Sequence, residues 1–306
     1  MRTLLLISLL LVGCRDRATK PPPSNQEGSV APRVALTDPL ALVPADSDIV
    51  LRVDIAALRR SSFFAKYEQQ MLELIAPAFV ECGFNPLEEI TTITVGIPMA
   101  SQQGIFVIRG LDRDKTLACL KSSKVESRTK VTFDGDFVTL TNKSGAVNMV
   151  TFVEPTTMVM QGSKNPTKQT LTKALQMGAP LRGNAMVASI DKQLGSGAAM
   201  SVIFVPDSKW FKQAVAAQGI AARYAYATLH VSEGLRWNVS LVMDNAQAAA
   251  AFANQVRAQL EEQADAFEKR DVRVEGATVV LDLGMSAEQL ESIIAIVQMM
   301  MAGNSD

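Results

Sequence analysis

Apolar and polar residues alternate in several short segments of this chain, most clearly at residues 49–55. The odd-numbered positions of this segment are all apolar, whereas Arg52 and Asp54 fall on the opposite side. A period of two predicts a strand with one buried face. Apolar residues at helical spacing follow over residues 64–79, and Pro77 is expected to bend or end that helix.

The same reasoning assigns the rest of the first half. It predicts strands at 93–97 and 104–108, a helix over 112–122, a hairpin over 131–140, strands at 147–152 and 157–161, and a helix over 167–177. Asp134-Gly135 is predicted to form the tight turn of the hairpin, since an acid-Gly pair favours that geometry.

The second half repeats part of this order. It predicts strands at 224–231 and 236–243, a long helix capped by Asp244 and ending near Phe267, a hairpin around Gly276, and a last helix opened by Ser286. Strand, strand, helix, hairpin and helix therefore occur twice, at an offset of about 140 residues. We interpret this as an internal duplication, and the alternative is two ordinary domains with a common rhythm.

These elements predict an α+β fold. We expect antiparallel sheets with helices on one face, arranged as an internally duplicated two-layer unit. The expected domains cover residues 46–180 and 181–303. An unusually apolar, Met-rich stretch over 290–301 is interpreted mainly as a core face, with a partner or ligand groove as the alternative.

The first residues predict export. An apolar run over 4–12 is too short for a bilayer, which needs roughly 20 apolar residues, and a Pro-rich polar stretch follows it. Leu11-Val12-Gly13-Cys14 resembles the lipobox of bacterial lipoproteins. The resemblance implies that residues 1–13 are a signal peptide and that Cys14 carries lipid. A plain secretory signal that happens to contain a cysteine is the alternative.

Residues 14–45 are predicted to be the lipidated cysteine and a disordered tether, because the Pro-rich segment has no apolar periodicity. The resemblance also implies a body in the periplasm of a bacterial envelope. Arg15 favours the outer over the inner membrane, since the family's inner-membrane signal in enteric bacteria is typically Asp at that position. Pro44-Ala45-Asp46 before a strand is similar to the start of an uncharacterised family of bacterial exported proteins with a duplicated α+β unit.

Charge and composition exclude several functions. The 306 residues carry a formal charge of −1, which gives no electrostatic basis for binding nucleic acid. The single histidine, His230, lies on a predicted strand and cannot form a multi-histidine metal site. Gly195-Ser196-Gly197 is interpreted as a loop, and the chain has no phosphate-binding or nucleophile-elbow motif. We expect no cofactor and no metal.

Cys82 and Cys119 are the only thiols left once Cys14 is lipidated. In an oxidising compartment this even pair predicts a disulfide. In the chain-entropy model, such a disulfide would stabilise the folded state by about 3–4 kcal/mol. Two buried free thiols are the alternative.

The sequence therefore favours a non-catalytic, membrane-anchored envelope lipoprotein with a binding or structural role. Its expected partners are the membrane, through the lipid, and other envelope proteins. The first alternative is a carrier of an apolar small molecule held between helices and sheet. The second is an unrecognised hydrolase with convergent carboxylates or a Ser/Lys pair in a cleft.

Overall fold

The structure is a computed structural model. It describes residues 38–75, 85–100, 103–122, 129–143, 145–163, 165–176, 181–195, 197–263 and 266–292. Cys14, Cys82 and most of the predicted last helix lie outside the described residues. None of the helices in these ranges combines the length and the apolar character needed to cross a membrane.

The described residues form one antiparallel sheet of twelve strands. The strands are β1 (Ile49–Asp54), β2 (Thr92–Ile97), β3 (Gly104–Arg109), β4 (Thr129–Asp134), β5 (Phe137–Asn142), β6 (Val147–Glu154), β7 (Thr157–Ser163), β8 (Met200–Phe204), β9 (Ala222–Val231), β10 (Leu235–Met243), β11 (Lys269–Glu275) and β12 (Thr278–Met285). Their order across the sheet is β11-β12-β10-β9-β8-β1-β2-β3-β7-β6-β5-β4, so β11 and β4 are the two edges. The predicted α+β class is confirmed.

Eight α-helical segments with defined bounds connect these strands in the described part of the chain. They are α1 (Ile55–Leu58), α2 (Ser62–Ile75), α3 (Pro86–Glu89), α4 (Arg113–Leu120), α5 (Lys168–Gln176), α6 (Ala185–Leu194), α7 (Lys209–Ala216) and α8 (Ala246–Glu262). Two short 3-10 helices, η1 (Pro39–Leu42) and η2 (Leu181–Gly183), precede β1 and α6. Residues 287–292 are also helical.

Short polar side chains begin several of these helices. Asp112 caps α4 by accepting a hydrogen bond from the Lys115 N–H, as the acidic helix start predicted. The cap of α8 is Asn245 rather than Asp244, and the helix ends at Glu262, earlier than expected. The Ser286 backbone N–H donates to Gln289, whose own N–H donates to the Ser286 hydroxyl, which is a capping box.

The strand order contains the predicted repeat. Along the chain, the first half runs β1, helix, β2, β3, helix, β4, β5. Across the sheet its strands lie in the order β1-β2-β3-β7-β6-β5-β4, so the hairpin of β6 and β7 is inserted between β3 and β5. The second half runs β8, helix, β9, β10, helix, β11, β12, in the order β8-β9-β10-β12-β11. The two halves meet where β1 pairs with β8, so a single continuous sheet crosses the boundary predicted between residues 180 and 181.

The strand registers divide the side chains between two faces. Face A carries Leu51, Phe106 and Phe204, whereas face B carries Val50, Val107 and Ile203. Helices α1 and α4 cover face A in the first half, and α7 and α8 cover it in the second half. A further group, η1, α5, η2 and α6, covers face B at the centre of the sheet, so the centre has a third layer.

Residues 38–45 correct the predicted tether. Leu40, Leu42 and Val43 are buried in the central cluster on face B, beside Val50 and Ile203. The predicted tether boundary at residue 45 is therefore wrong, because these apolar side chains are part of the core.

Candidate binding cleft

A recess of about 450 Å³ opens on face B beside the junction of the two halves. We call it the arginine cleft. Its lining residues are Asp38, Pro39, Arg52, Asp54, Thr92, Arg109, Arg182, Asp191, Gly195, Gly197, Ala198 and Ser201. The sheet forms its floor, and η1, η2, α6 and the loop after α6 form its walls.

The floor follows from the alternation seen in the sequence. Arg52 and Asp54 lie on face B because the odd-numbered positions of β1, Ile49, Leu51 and Val53, point to face A. Ser201 of β8 is directly opposite Arg52 across the junction. Thr92 of β2 is opposite both Asp54 and Arg109, so it lies between these two charged residues.

The walls bring the remaining charges over this floor. The backbone N–H of Leu181 donates to the carbonyl of Val43 at 2.9 Å, which joins η2 to the segment after η1. This contact places Arg182 within 2.9 Å of Asp38. Helix α6 carries Asp191 and ends at Leu194, and its C-cap is Gly195, whose φ of +66° is open to glycine but unfavourable for other residues.

Ion pairs link the floor to the walls. One oxygen of Asp191 lies 2.8 Å from a terminal nitrogen of Arg52, and its other oxygen lies 3.9 Å from Arg182. Arg182 in turn pairs with Asp38. Asp191 is therefore shared by two arginines, and its side chain keeps 16% of its surface exposed.

Arg109 of β3 is a partly buried arginine of the cleft. Burial is the largest effect on its guanidinium and lowers the pKa, against the opposing attraction of Glu154 and Asp38. The positive charge of Arg52 lowers the pKa further. The guanidinium still remains protonated, since its ordinary pKa is far above neutrality.

The carboxylates of the cleft have structural partners. Asp54 accepts a hydrogen bond from the Ala57 N–H at 2.7 Å and so caps α1. Asp38 accepts from the Leu40 N–H at 2.9 Å and caps η1. With Asp191 shared between arginines, the cleft offers charge and hydrogen bonds but no pair of nearby carboxylates free for acid–base chemistry.

Polar atoms are also buried beneath the cleft. Nε of Arg52 and the hydroxyl of Thr94 are inaccessible to solvent and have no hydrogen-bond partner among the described residues. The two residues are opposite each other on β1 and β2. Such atoms cost free energy unless a water or another group satisfies them.

A second carboxylate on face B is flanked by two cations far from the cleft. Asp282 on β12 accepts from Nε and a terminal nitrogen of Arg236 at 2.8 and 2.6 Å, and from Lys269 at 2.5 Å. Its side chain is only 4% exposed. These hydrogen bonds, Arg236 foremost, hold the pKa of Asp282 at about 2 although burial acts in the opposite direction.

The residues singled out from the sequence do not gather at the cleft. His230 is exposed on β9 and shares face B with Tyr226, as predicted, but it does not line the recess. Gly195 and Gly197 belong to a loop, as predicted, and this loop forms part of the cleft wall. No cluster of metal-ligating side chains occurs among the described residues.

Cys119 is buried on α4 and is disulfide-bonded. Cys82 lies outside the described residues, so the Cys82–Cys119 pairing stays a prediction.

A second recess, of about 550 Å³, lies between α7 and the start of β9. Asp207 and Lys212 form an exposed ion pair at its rim, 2.7 Å apart. Short side chains such as Ala216 and Ala221 line much of it. Neither this recess nor the arginine cleft is the enclosed apolar cavity that a carrier of small apolar molecules requires.

Solved structures share the fold of this chain, but comparison of its sequence with known proteins identifies no family. The fold resembles that of TP0453. Two crystal forms of that protein, I and III, match 85% of this chain at 14% identity and a TM-score of 0.55. The match covers 97% and 99% of the TP0453 chain. No family profile and no curated protein sequence matches this chain.

Proposed function

We propose that this protein is a membrane-anchored envelope lipoprotein whose body acts by binding a ligand with a carboxylate or phosphate group. The arginine cleft carries this proposal, because it concentrates three guanidinium groups in a recess at the junction of the two halves. Arginine suits such ligands since its planar fork donates two parallel hydrogen bonds to carboxylate or phosphate oxygens.

The cleft lining carries three arginines and three aspartates, so the placement of the arginines, rather than a net positive charge, supports an anion as the ligand. Asp38 and Asp191 pair with Arg182 and Arg52, and burial is the largest effect on Arg109, whose pKa it lowers. A bound anion near Arg109 would replace the hydration that its guanidinium has lost. It would also reduce the repulsion between Arg109 and Arg52.

A binding role is favoured over hydrolysis by the same geometry. Ser201 lies opposite Arg52 on the cleft floor rather than beside a lysine or histidine. The neighbouring carboxylates cap helices or pair with arginines, so a general base is not supplied by them.

The anchor rests on Leu11-Val12-Gly13-Cys14 and its resemblance to a lipobox. A lipid on Cys14 would keep the body beside the membrane, in the periplasm and more favourably at the outer membrane. Other envelope proteins remain the proposed macromolecular partners.

Binding to the cleft can be tested with inorganic phosphate as the probe. We expect phosphate to raise the melting temperature of the full chain relative to chloride at equal ionic strength. Arg109→Gln should weaken phosphate binding by about tenfold, the factor expected for one lost charge-assisted hydrogen bond.

The matched control is Arg273→Gln, because Arg273 is an exposed arginine on β11 that pairs with Asp271 at 3.2 Å, outside the cleft. The melting curve without phosphate reports whether each variant keeps its fold. Equal phosphate responses in wild type and Arg109→Gln, or no response at all, would contradict the binding proposal.

The anchor has its own test. Cells grown with an alkyne-labelled fatty acid should incorporate the label into the wild-type chain but not into Cys14→Ala. The wild-type chain should also partition into the detergent phase of Triton X-114, and the variant into the aqueous phase. Label on the variant would refute the anchor without bearing on the cleft.

A further inference from the structure

The edge strand β4 has an outward side whose backbone groups pair with no strand among the described residues. Asp134 and Phe137 close a two-residue loop, because Gly135 and Asp136 alone separate β4 from β5. The φ of Gly135 is +60°, and the first central residue of a type II′ hairpin turn requires such a value. The closing pair of such a hairpin is a hydrogen-bonded pair.

Alternation then fixes the direction of every backbone group in β4. Lys130, Thr132 and Asp134 exchange hydrogen bonds with β5, whereas the N–H and C=O groups of Val131 and Phe133 point away from the sheet. Unpaired groups of this kind are a template for another strand, and proteins normally protect them.

The side chains of β4 are complementary to themselves. When two copies are placed antiparallel about a two-fold axis at Thr132, Lys130 of one copy lies opposite Asp134 of the other. In the same register Val131 lies opposite Phe133, so the two outward backbone groups of each copy meet and hydrogen-bond. Charge, apolar contact and backbone pairing therefore agree on one register.

The exposure of these side chains supports an interface. Phe133 is 40% exposed, one of two large apolar side chains so exposed among the described residues. Lys121 lies 5.5 Å from its ring on one side. Lys130 is exposed, and Asp134 keeps 73% of its side chain exposed despite its contact with Lys168.

The opposite edge, β11, is protected against the same pairing. Five of its seven residues are charged: Lys269, Arg270, Asp271, Arg273 and Glu275. Lys269 is already bound to Asp282, and Arg273 to Asp271. By contrast β4 carries two charges in six residues, and these two are the pair that the two-fold axis brings together.

We propose that β4 is a homotypic docking edge, through which a second copy of this chain extends the sheet by antiparallel pairing centred on Thr132. A pairing of five residues buries a small area, so it is weak in free solution. Anchoring two copies in one membrane surface raises their effective concentration and makes the contact significant there.

A cysteine scan along β4 tests the register. In the proposed pairing the two Thr132 residues face each other as a non-hydrogen-bonded pair with Cα atoms about 4.5 Å apart, within the range that a disulfide spans. Thr132→Cys in the full-length, membrane-anchored protein should therefore give a disulfide-linked dimer under mild oxidation.

The matched control is Thr129→Cys, on the same strand but about 20 Å from its own copy in the proposed dimer. It should stay monomeric under the same oxidation. Equal crosslinking of the two variants, or none by Thr132→Cys above the control, would overturn the proposal.

A charge exchange tests the complementarity independently. Combined with Thr132→Cys, Lys130→Asp places two like-charged pairs in the interface and should reduce the crosslinked fraction by about tenfold. Adding Asp134→Lys restores opposite charges at both pairs and should recover the crosslink. Lys143→Asp, at an exposed position outside β4, makes the same change in net charge and should have no effect.

Failure of the double variant to recover, with Thr132→Cys alone crosslinking, would show that the charges do not set the register and would overturn the pairing as stated. A fold defect is detected separately, since each variant is compared by its melting temperature.

Discussion

Asp191 and Asp282 are each flanked by two cationic side chains on face B, yet the two carboxylates are held differently. Asp282 accepts short hydrogen bonds from both partners and is 4% exposed. Asp191 makes one short contact with Arg52 and a 3.9 Å contact with Arg182, and it lines a recess.

The comparison separates charges that stabilise a fold from charges that can serve a ligand. At Asp282 the cations cover the carboxylate, and the hydrogen bonds stabilise its charged form. At the arginine cleft the cations line an opening, where Arg52 keeps 25% and Arg182 keeps 50% of the side chain exposed. A carboxylate flanked by two cations can therefore have either a structural or a binding role. The distances to the cations and the exposure of the carboxylate distinguish the two roles.

The largest expected effect is loss of the Asp282 charge. Asp282→Asn should lower the free energy of unfolding by about 3 kcal/mol, because Arg236 and Lys269 would face each other without their shared counterion. Urea unfolding at pH 7 measures this loss. A loss below 1 kcal/mol would show that Asp282 resembles a surface pair and would remove the contrast with Asp191.

Protonation of Asp282 at low pH should lower the free energy of unfolding of the wild-type protein. The folded-state pKa of Asp282 is about 2, below its usual 3.8, so its stabilisation is complete above about pH 4 and is lost as the pH falls through 2. We expect about 2 kcal/mol of the unfolding free energy to disappear over this interval. Subtracting the acid titration of Asp282→Asn isolates this contribution.

Asp191→Asn should have a smaller effect on stability and a separate effect on binding. We expect a loss of about 1 kcal/mol, because the carboxylate is partly exposed and its partners can turn to solvent. The recess would gain one unit of positive charge, so phosphate affinity should rise between about threefold and tenfold. Unchanged or weaker phosphate binding in calorimetry would contradict an anion site.

The exposed pair of Arg273 and Asp271 sets the baseline for both sites. Arg273→Gln should change the unfolding free energy by less than about 0.5 kcal/mol, since both side chains are about half exposed and are screened by solvent. Urea unfolding in low and high salt measures it. If Arg273→Gln lowered the unfolding free energy as much as Asp191→Asn, the exposure of an ion pair would not determine its contribution to stability.

Local signals in the sequence were enough for many of the elements. The two hairpins follow from Gly135 and Gly276, whose positive φ values let the chain reverse within two residues. The helix starts at Asp112 and Ser286 follow from side chains that satisfy backbone N–H groups. These predictions succeeded because each depends on residues within a few positions of one another.

Elements that depend on distant partners were missed. Strand β8 has five residues without a clear alternation, and it is a strand because β1 and β9 pair with it on either side. Leu40 and Val43 follow a polar segment, and only contact with the central cluster shows that they belong to the core. Of the helix group on face B only α5 was predicted from the sequence, whereas η1, η2 and α6 were missed for the same reason.

The cleft was beyond the reach of sequence patterns. Arg52 and Asp54 were seen as the polar side of a strand, which is the usual position of charged residues. Asp191 and Arg182 come from the second half and meet Arg52 only after β1 and β8 have paired. The one signal in the sequence was that Arg52 and Asp54 share a face of β1. Covering that face with other elements requires charged partners for these two side chains.

The pairing of β1 with β8 also has a consequence for folding during synthesis. Met200 lies opposite Val53, so the middle of the sheet requires a contact across roughly 150 residues, which raises contact order and slows folding. Until β8 arrives, β1 exposes the same kind of open edge as β4. A nascent chain that stops before Met200 is thus expected to aggregate, and a chaperone that binds extended segments would protect it best at residues 49–54.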